Sequence, residues 1–344
     1  MIKYYIPFLI VVVVISGEKA SAQDPQFSQF YAAPLYLNPA FAGATGQARA
    51  GLNYRNQWPS IPASFVTSAA YFDYFFEEYN SGAGILISTD REGLAGLRST
   101  SVSLNYAYQL RINDYLTVRP GLSAGYVIRN IDFARLTFGD QFDPVSGEVV
   151  LPVTSEPINL DNVSYLDLGA GAVVFTENFW LGFAAHHLNT PDQAFTETAE
   201  SQLSVRYSVH GGYKIKLPKA SYSKGQIPTR RERSITPTFQ YKTQGEFDQL
   251  DIGTYVTLEP VVFGLTYRGL PVKTLNGFPN NESIIFLVGM TYNGLNVGYS
   301  FDYTISDLGI SSGGAHEVSI SYVFNPGDKR KPPRNVRQIP CPKF

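Results

Sequence analysis

The sequence has little of what marks several common classes of protein. A single cysteine, Cys341, excludes an internal disulfide framework. Charged residues make up 16% of the 344 residues, below the usual quarter, and the formal net charge of −2 gives no polycationic character for binding nucleic acid. Beyond the first 22 residues there is no run of about 18 consecutive apolar residues, which excludes a helical membrane protein.

The first 22 residues have the composition of a secretory signal peptide. Lys3 supplies the basic start, residues 6–15 supply the apolar core, and Ala20-Ser21-Ala22 supplies a small-residue cleavage site. A retained membrane anchor is the alternative, and the shortness of the apolar run argues against it. The sequence therefore predicts an exported protein of bacterial envelope type whose mature chain begins at Gln23.

The chain is rich in aromatic residues, with 23 Tyr and 23 Phe, and in stretches of alternating polarity. The clearest stretch runs from Ser101 to Arg129, on both sides of an Asn113-Asp114 turn. A period of two places one set of residues on each face of a strand. The arms run to about a dozen residues, longer than the roughly 5–6 usual in soluble sheets and enough for a transmembrane strand of about 9–11. This hairpin is therefore predicted to cross a bilayer.

Alternating runs of this kind fill residues 47–324. Short connections such as Asn113-Asp114 and Asn293-Gly294 alternate with longer ones, of which 130–162 is the longest. Outer-membrane barrels of the up-and-down type have short periplasmic turns and long outer loops. We therefore predict an all-β fold, a transmembrane antiparallel β-barrel of about 14 strands, with both chain ends in the periplasm. The predicted strands are 47–55, 63–75, 82–89, 100–111, 115–129, 163–175, 178–188, 202–216, 234–243, 249–258, 261–268, 283–292, 295–304 and 315–324.

Two segments flank the predicted barrel. Residues 23–46 are aromatic, contain three prolines and have no strand period. So apolar a segment is predicted to pack inside the barrel as a plug or against its rim, with a plain lead-in to the first strand as the alternative. Residues 325–344 are rich in Pro, Lys and Arg and are predicted to form a periplasmic tail.

One connection breaks the alternation of short and long. Residues 217–233 fall where a short periplasmic turn is expected, yet this connection is long and basic. It is either a solvated loop or a docking patch for an acidic or periplasmic partner. Its basic residues are Lys219, Lys224, Arg230, Arg231 and Arg233.

A second connection, at 244–247, is unusually short for an outer loop. The predicted number of strands is therefore open to an error near this point.

Two patterns suggest enzyme or metal chemistry without the context that such chemistry needs. Gly121 to Gly125 match the G-x-S-x-G pattern of a nucleophile elbow, which requires a strand, a sharp turn and a helix. Here the pattern lies within a continuous strand. His186 and His187 are adjacent in a predicted strand and are expected to point to opposite faces, so they are not expected to bind one metal ion together.

Acidic residues in the longest loop give only a weak calcium site. Asp140, Asp143 and Glu148 do not have the spacing of an EF-hand loop. No catalytic residue, cofactor or metal site is therefore predicted, and the chain is not expected to be an enzyme.

Most of six arginines fall in the polar register of the predicted strands, which faces the lumen. They are expected to line a selective pore or to pair with acidic groups, and pairing is favoured because the lumen tolerates charge. The arginines are Arg49, Arg55, Arg111, Arg119, Arg129 and Arg206, and the acidic candidates are Asp73, Asp167, Asp251 and Asp302.

Motifs in order along the chain carry a resemblance to one family. An aromatic S-Q-F run leads into N-P-A-x-A-G, and R-N-Q-W, L-T-F-G-D-Q, H-L-N-T-P, H-G-G-Y-K and a closing C-P-K-F follow. Together they resemble the PorP/SprF family, membrane proteins of the type IX secretion system in Bacteroidetes. The matching residues of the opening motif are Gln26, Phe27, Ser28, Gln29, Phe30, Asn38, Pro39, Ala40, Ala42 and Gly43.

The resemblance implies a non-enzymatic outer-membrane barrel that supports export or surface attachment of a secreted partner, such as a gliding adhesin. Its expected partners are the outer-membrane bilayer, other components of the secretion machinery and one large secreted surface protein. The basic connection and the tail would then contact periplasmic machinery, and loop 130–162, with Asp140 and Gln141, would contact the cargo. The alternative is a transporter or porin for small molecules, including hydrophobic ones.

Overall fold

The computed structural model describes most of the chain beyond residue 23. The described residues are 24–62, 64–93, 96–133, 136–143, 146, 148–155, 162–195, 201–218, 232–275, 278–306, 309–325 and 337–344, with the backbone alone for 271–275, 278–280 and 310. The predicted signal peptide therefore lies outside the described residues.

Within this part of the chain, fourteen antiparallel strands follow one another. Two-residue pieces, Leu110–Arg111 and Ile215–Lys216, continue the fourth and the eighth strand after a break of one residue. The strands are β1 (Ala48–Gln57), β2 (Phe65–Phe76), β3 (Ser81–Glu92), β4 (Leu97–Tyr108), β5 (Thr117–Asn130), β6 (Asn162–Phe175), β7 (Phe179–His186), β8 (Arg206–Tyr213), β9 (Arg233–Gln244), β10 (Phe247–Leu258), β11 (Val261–Leu275), β12 (Phe278–Tyr292), β13 (Leu295–Thr304) and β14 (Ala315–Phe324).

The sheet closes on itself. Each strand pairs with the next along the chain, and β14 pairs with β1 from Ala48↔Phe324 to Gln57↔Ala315. A closed barrel leaves no edge strand with unpaired backbone groups, which a bilayer would penalise. The prediction of an antiparallel 14-stranded barrel is confirmed.

The turns explain why the strand count is right. Asn293 and Gly294, with φ of 50° and 83°, form the two-residue turn between β12 and β13, and this turn type needs positive φ at both positions. The short connection after β9 is a true turn rather than a slip, because Gln244 pairs with Phe247 and Gly245 has a φ of 58°.

The hairpin of β11 and β12 is longer than predicted. The sequence placed a loop at 269–282, whereas the strands continue to Leu275 and resume at Phe278. The pairing shifts register between Arg268 and Gly269 and again between Leu270 and Thr274. These irregularities accommodate Gly269 and Pro271 within the paired strand.

The outward face of the barrel is apolar. Leu52, Leu104, Leu122 and Leu166 are between 60% and 65% exposed, and so many exposed aliphatic side chains on one surface are typical of a lipid-facing wall. Exposed tyrosines lie towards both ends of this wall, as in the aromatic girdles of outer-membrane barrels. They are Tyr108, Tyr213, Tyr292 and Tyr322 towards the short turns and Tyr54, Tyr126, Tyr207 and Tyr303 towards the long connections.

Helical structure in the described residues consists of short turns. These are α1 (Pro34–Leu37) and single 3-10 turns at Pro39–Phe41, Glu77–Tyr79, Gly139–Gln141 and Ile310–Ser312. None of the helices in this part of the chain has the length and apolar character needed to span a membrane.

The barrel interior as candidate functional site

The segment that precedes β1, residues 24–46, is almost entirely buried; we call it the N-terminal segment. Two prolines start its turns, Pro34 for α1 and Pro39 for the 3-10 turn. Proline is suited to a first helical position because its missing N–H would have no partner there. Asn38 lies in extended conformation before Pro39, and its Oδ1 accepts a hydrogen bond from Ala40 N at 2.9 Å. The sequence Asn38-Pro39-Ala40 therefore favours a 3-10 turn that is capped by the side chain of Asn38.

Glu317 of β14 binds the backbone of the N-terminal segment. Its Oε2 accepts a hydrogen bond from Ser28 N at 2.6 Å, and its Oε1 accepts one from Gln29 N at 3.0 Å. The side chain of Gln29 donates to Glu317 O at 2.9 Å and accepts from Ser319 Oγ at 2.6 Å. Ser28 and Gln29, the S-Q pair of the opening motif, are thus hydrogen-bonded to the final strand of the barrel.

Buried ion pairs surround this contact. Arg55 lies 2.9 Å from Asp302 and 3.3 Å from Glu317, and Arg268 lies 3.0 Å from Asp251 and 3.1 Å from Asp302. None of these side chains is more than 4% exposed. Charges so far from water persist only when paired and hydrogen-bonded, so the network fixes the geometry of the interior.

A second cluster holds the end of the N-P-A-x-A-G motif. Arg49 Nε lies 2.8 Å from Asp73 Oδ1, and Asp73 Oδ2 accepts a hydrogen bond from Gly43 N at 2.7 Å. Arg119 donates to Ala40 O at 3.1 Å and also to Ala42 O. The favoured interpretation, pairing of lumen arginines with carboxylates, describes Arg49 and Arg55, whereas Arg119 binds backbone carbonyls.

Glycines in the wall let the N-terminal segment approach the strands closely. A Cβ built on Gly82 would lie 1.9 Å from Ala42 O, and one on Gly121 would lie 2.4 Å from Ala40 N. Gly43 has a φ of +66°, which L side chains rarely adopt. Gly121, the first residue of the G-x-S-x-G pattern, is therefore a packing position for this segment.

Aromatic rings fill the middle of the barrel. Tyr31 packs edge-on against Trp180, its hydroxyl accepts from Trp180 Nε1 at 3.1 Å, and it donates to Gly211 O at 3.3 Å. His210 packs against Phe41 and lies 3.3 Å from Asn38 Nδ2. Asn38 Nδ2 also lies 3.0 Å from Phe183 O, so it ties α1 to the wall. The remaining motif residues Phe27, Phe30, Pro39 and Ala40 are likewise buried.

The last described residues, 337–344, also pack against the inner wall; we call them the C-terminal segment. Phe344 is 4% exposed and stacks on Tyr255 at a centroid distance of 5.3 Å. Its Cβ would lie 2.5 Å from a Cβ placed on Gly289. Gln338 donates to Thr45 O of the N-terminal segment at 2.7 Å. That residues 325–344 form a periplasmic tail stays a prediction; their composition, rich in Pro, Lys and Arg, did not indicate that the last residues contact the inner wall.

His186 and His187 do not point to opposite faces, so that expectation is wrong. β7 ends at His186, and His187 turns away with a φ of 59°, so the alternation of a strand no longer applies. His187 Nε2 lies 2.6 Å from Asp24 and its Nδ1 lies 2.9 Å from Asp167. Arg206 lies 2.8 Å from Asp24. The cluster thus fastens the beginning of the N-terminal segment, a role that nothing in the sequence pattern indicated.

In the loop between β5 and β6, Asp140 and Gln141 fold the loop upon itself. Asp140 accepts hydrogen bonds from Ser155 N at 2.6 Å and from Thr154 Oγ1 at 2.8 Å, and these bonds hold the pKa of its carboxyl below the ordinary value. Gln141 Oε1 accepts from Phe138 N at 2.8 Å. Both side chains therefore have a structural task, and their predicted contact with cargo stays a prediction.

The other predicted site residues fall into two groups. Arg233 begins β9 and is exposed, whereas Lys219, Lys224, Arg230 and Arg231 lie outside the described residues. Asp143 is bonded within its own loop, where its Oδ1 accepts from Ser146 N at 2.8 Å. Among the described residues, no group of three or more His, Cys, Asp or Glu side chains is arranged to hold a metal ion.

The chain is similar in structure to several solved bacterial proteins. The Acinetobacter baumannii protein Omp33 is 9% identical with a TM-score of 0.42, covering 81% of this chain and 98% of its own. The toluene transporters TbuX of Ralstonia pickettii and TodX of P. putida are 11% and 10% identical, with TM-scores of 0.48 and 0.47. They cover 85% and 84% of this chain and 93% of their own. Likeness at this level identifies no function for this chain.

No curated protein matches the chain. A family model does, over residues 19–322, which includes the N-terminal segment from Asp24 and nearly all of the barrel. The matched family is described as the type IX secretion system membrane protein PorP/SprF. Its fold and setting are those of a secretion-system membrane barrel and not of a known enzyme family. The chain belongs to the PorP/SprF family of type IX secretion system membrane proteins.

Proposed function

We propose that this barrel supports the export or surface attachment of one secreted partner, such as an adhesin, and does not conduct small solutes. The observation that carries the proposal is the occupied interior. The N-terminal and C-terminal segments contact one another through Gln338 and Thr45, and both are buried against the inner wall. A barrel filled by its own chain ends is suited to holding partners rather than to passing molecules.

The strength of the anchoring supports a fixed plug. Removing the N-terminal segment would break the two hydrogen bonds that Glu317 accepts from backbone N–H groups. It would also leave the ion pairs of Arg55 and Arg268 without the segment that packs against them. Breaking one buried charge pair costs about 3–5 kcal/mol. A small solute binding weakly in the lumen does not supply that free energy, so a transporter cycle that ejects the segment is disfavoured.

The surfaces outside the lumen are the remaining places for partners. We assign the basic connection 217–233 to periplasmic machinery and the loop between β5 and β6 to the secreted partner. The assignment follows from the long and short connections of the barrel, which by analogy with other outer-membrane barrels face the outside and the periplasm respectively. In this assignment the C-terminal segment lies at the periplasmic side, where Arg337 donates to Asp114 O in a short turn, whereas Asp24 lies at the side of the long connections, against His187.

The test is deletion of this protein from its host, followed by quantification of each type IX cargo on the cell surface. We expect the surface level of one cargo to fall at least tenfold while the others persist. Unchanged display of every cargo would contradict the proposal. Purified protein in planar bilayers is expected to give no stable conductance, and a steady ion current would favour the transporter alternative.

A second experiment addresses the basic connection. Replacing Lys219, Lys224, Arg230 and Arg231 with Gln is expected to reduce cargo display without changing the amount of folded barrel. Arg91→Gln, an exposed arginine in β3, is the matched control. Equal cargo display by the two variants would contradict the docking role and would favour the alternative, a solvated loop.

A further inference from the structure

A cavity of about 130 Å³ lies between the N-terminal segment and the walls of β3 to β8. Leu35 and Tyr36 of the N-terminal segment and Gln193 of the connection after β7 are among its lining residues. The cavity is therefore on the side of the long connections. It is far smaller than the roughly 300–1,000 Å³ of drug-sized sites, so it suits a ligand of one ring rather than a chain.

One wall of the cavity is built from neutral hydroxyl groups. Ser99, Ser101 and Ser103 occupy successive inward positions of β4, and Ser88 and Ser123 face the cavity from the neighbouring strands. Ser88 Oγ and Ser101 Oγ lie 2.7 Å apart. Each serine hydroxyl can donate one hydrogen bond and accept two, so the wall offers both functions to a ligand.

The charged groups of the opposite wall neutralise one another. Both ring nitrogens of His187 contact carboxylates, which requires a proton on each and makes the ring cationic. Asp24 also pairs with Arg206, Asp90 accepts a hydrogen bond from Thr67 Oγ1 at 2.6 Å, and Arg129 and Glu92 add one charge of each sign to the lining. The described lining therefore carries charges of both signs in nearly equal number and presents no strong field of one sign.

His186 also lines the cavity, but its Nε2 is buried, with almost no accessible surface. The serine hydroxyls, and not His186, are therefore the groups that a ligand in the cavity reaches.

We propose that this cavity binds one small neutral polyhydroxylated solute, of the size of a single sugar ring. The serine wall would exchange hydrogen bonds with its hydroxyls, and Tyr36 would close the floor. The site is independent of the secretion role proposed above, because none of its residues belongs to the surfaces assigned to partners.

The test is calorimetric titration of the purified protein in detergent with D-glucose, with arginine and citrate as charged probes. We expect glucose to bind at millimolar concentrations or below, and the double variant Ser99→Ala, Ser103→Ala to weaken it by about tenfold. Ser68→Ala, whose serine lies on the outward register of β2, is expected to leave binding unchanged.

Two results would overturn the proposal. One is binding of arginine or citrate in preference to glucose, which would make the cavity an ion site. The other is no heat from any probe with correctly folded protein, which would leave the cavity to water alone. Ser101→Phe, which fills the cavity without removing a charge, is a second check, because it should abolish glucose binding even if the double alanine variant folds poorly.

Discussion

The carboxylate of Glu317 accepts a hydrogen bond from Ser28 N at 2.6 Å across a sequence separation of 289 residues. The last strand of the barrel therefore binds the N-terminal segment, which precedes the first strand in the chain. Because this strand also pairs with β1, closure of the barrel and docking of the N-terminal segment depend on one strand. In a protein built in this way, the interior is occupied by its own N-terminal segment.

Glu317→Gln is expected to destabilise the folded protein by about 3–5 kcal/mol, because it removes a buried charge from Arg55 and turns an amide NH2 towards a backbone donor. The measurement is urea unfolding in lipid vesicles, followed by the emission of Trp180, which is fully buried beside Tyr31. Glu177→Gln, in an exposed pair with Lys216, is the control and should change stability by less than about 1 kcal/mol. Equal midpoints for the two variants would show that Glu317 does not anchor the segment.

Gly82→Ala is expected to loosen the N-terminal segment, because the added Cβ would lie 1.9 Å from Ala42 O and backbone must move to admit it. Overpacking of this kind costs about 1–3 kcal/mol. We expect faster protease cleavage within residues 24–46 of the folded variant. Gly139→Ala is the matched control, since nothing lies within 4 Å of its Cβ position. Equal cleavage of both variants would mean that Gly82 is not a contact point.

The barrel could be predicted from the sequence because alternation of polar and apolar residues indicates which face of the sheet each residue occupies. Arg55 and Glu317 are both visible in it as polar residues of the inward register. The period does not report which inward residues meet, since Glu317 and Ser28 are brought together only by closure of the barrel. It also fails where a strand ends, as at His187, and where a bulge continues a strand through proline and glycine, as at Gly269.

Phe344→Ala is expected to release the C-terminal segment, because the ring supplies the stacking contact with Tyr255. Loss of a buried Phe side chain costs about 3–5 kcal/mol. Cys341, a free thiol packed against the same core, is a built-in reporter. We expect its labelling by a water-soluble maleimide to accelerate at least tenfold in the variant. Lys343→Ala, at an exposed position, should label at the rate of the unaltered protein, and a slow rate in both would show that Phe344 is dispensable.

The fold of the loop between β5 and β6 is expected to depend on acid pH through Asp140. Because hydrogen bonds from the amide and hydroxyl of Ser155 and from Thr154 hold its folded pKa below the ordinary value of about 3.9, its contribution is complete above that value. The contribution falls as pH drops through the folded pKa and the carboxylate becomes protonated. Hydrogen exchange of the Ser155 amide is the measurement, since this amide donates to Asp140 at 2.6 Å.

Asp140→Asn should show fast exchange of that amide already at neutral pH, because a neutral amide oxygen is a weaker acceptor than a carboxylate. Glu148→Gln, an exposed acid in the same loop, is the control and should keep the protection of the unaltered protein. A Ser155 amide that stays equally protected in Asp140→Asn at neutral pH would mean that the loop is held by Gln141 instead. If protection is lost, and cargo display falls with it, the folded loop rather than its sequence alone is what the secreted partner recognises.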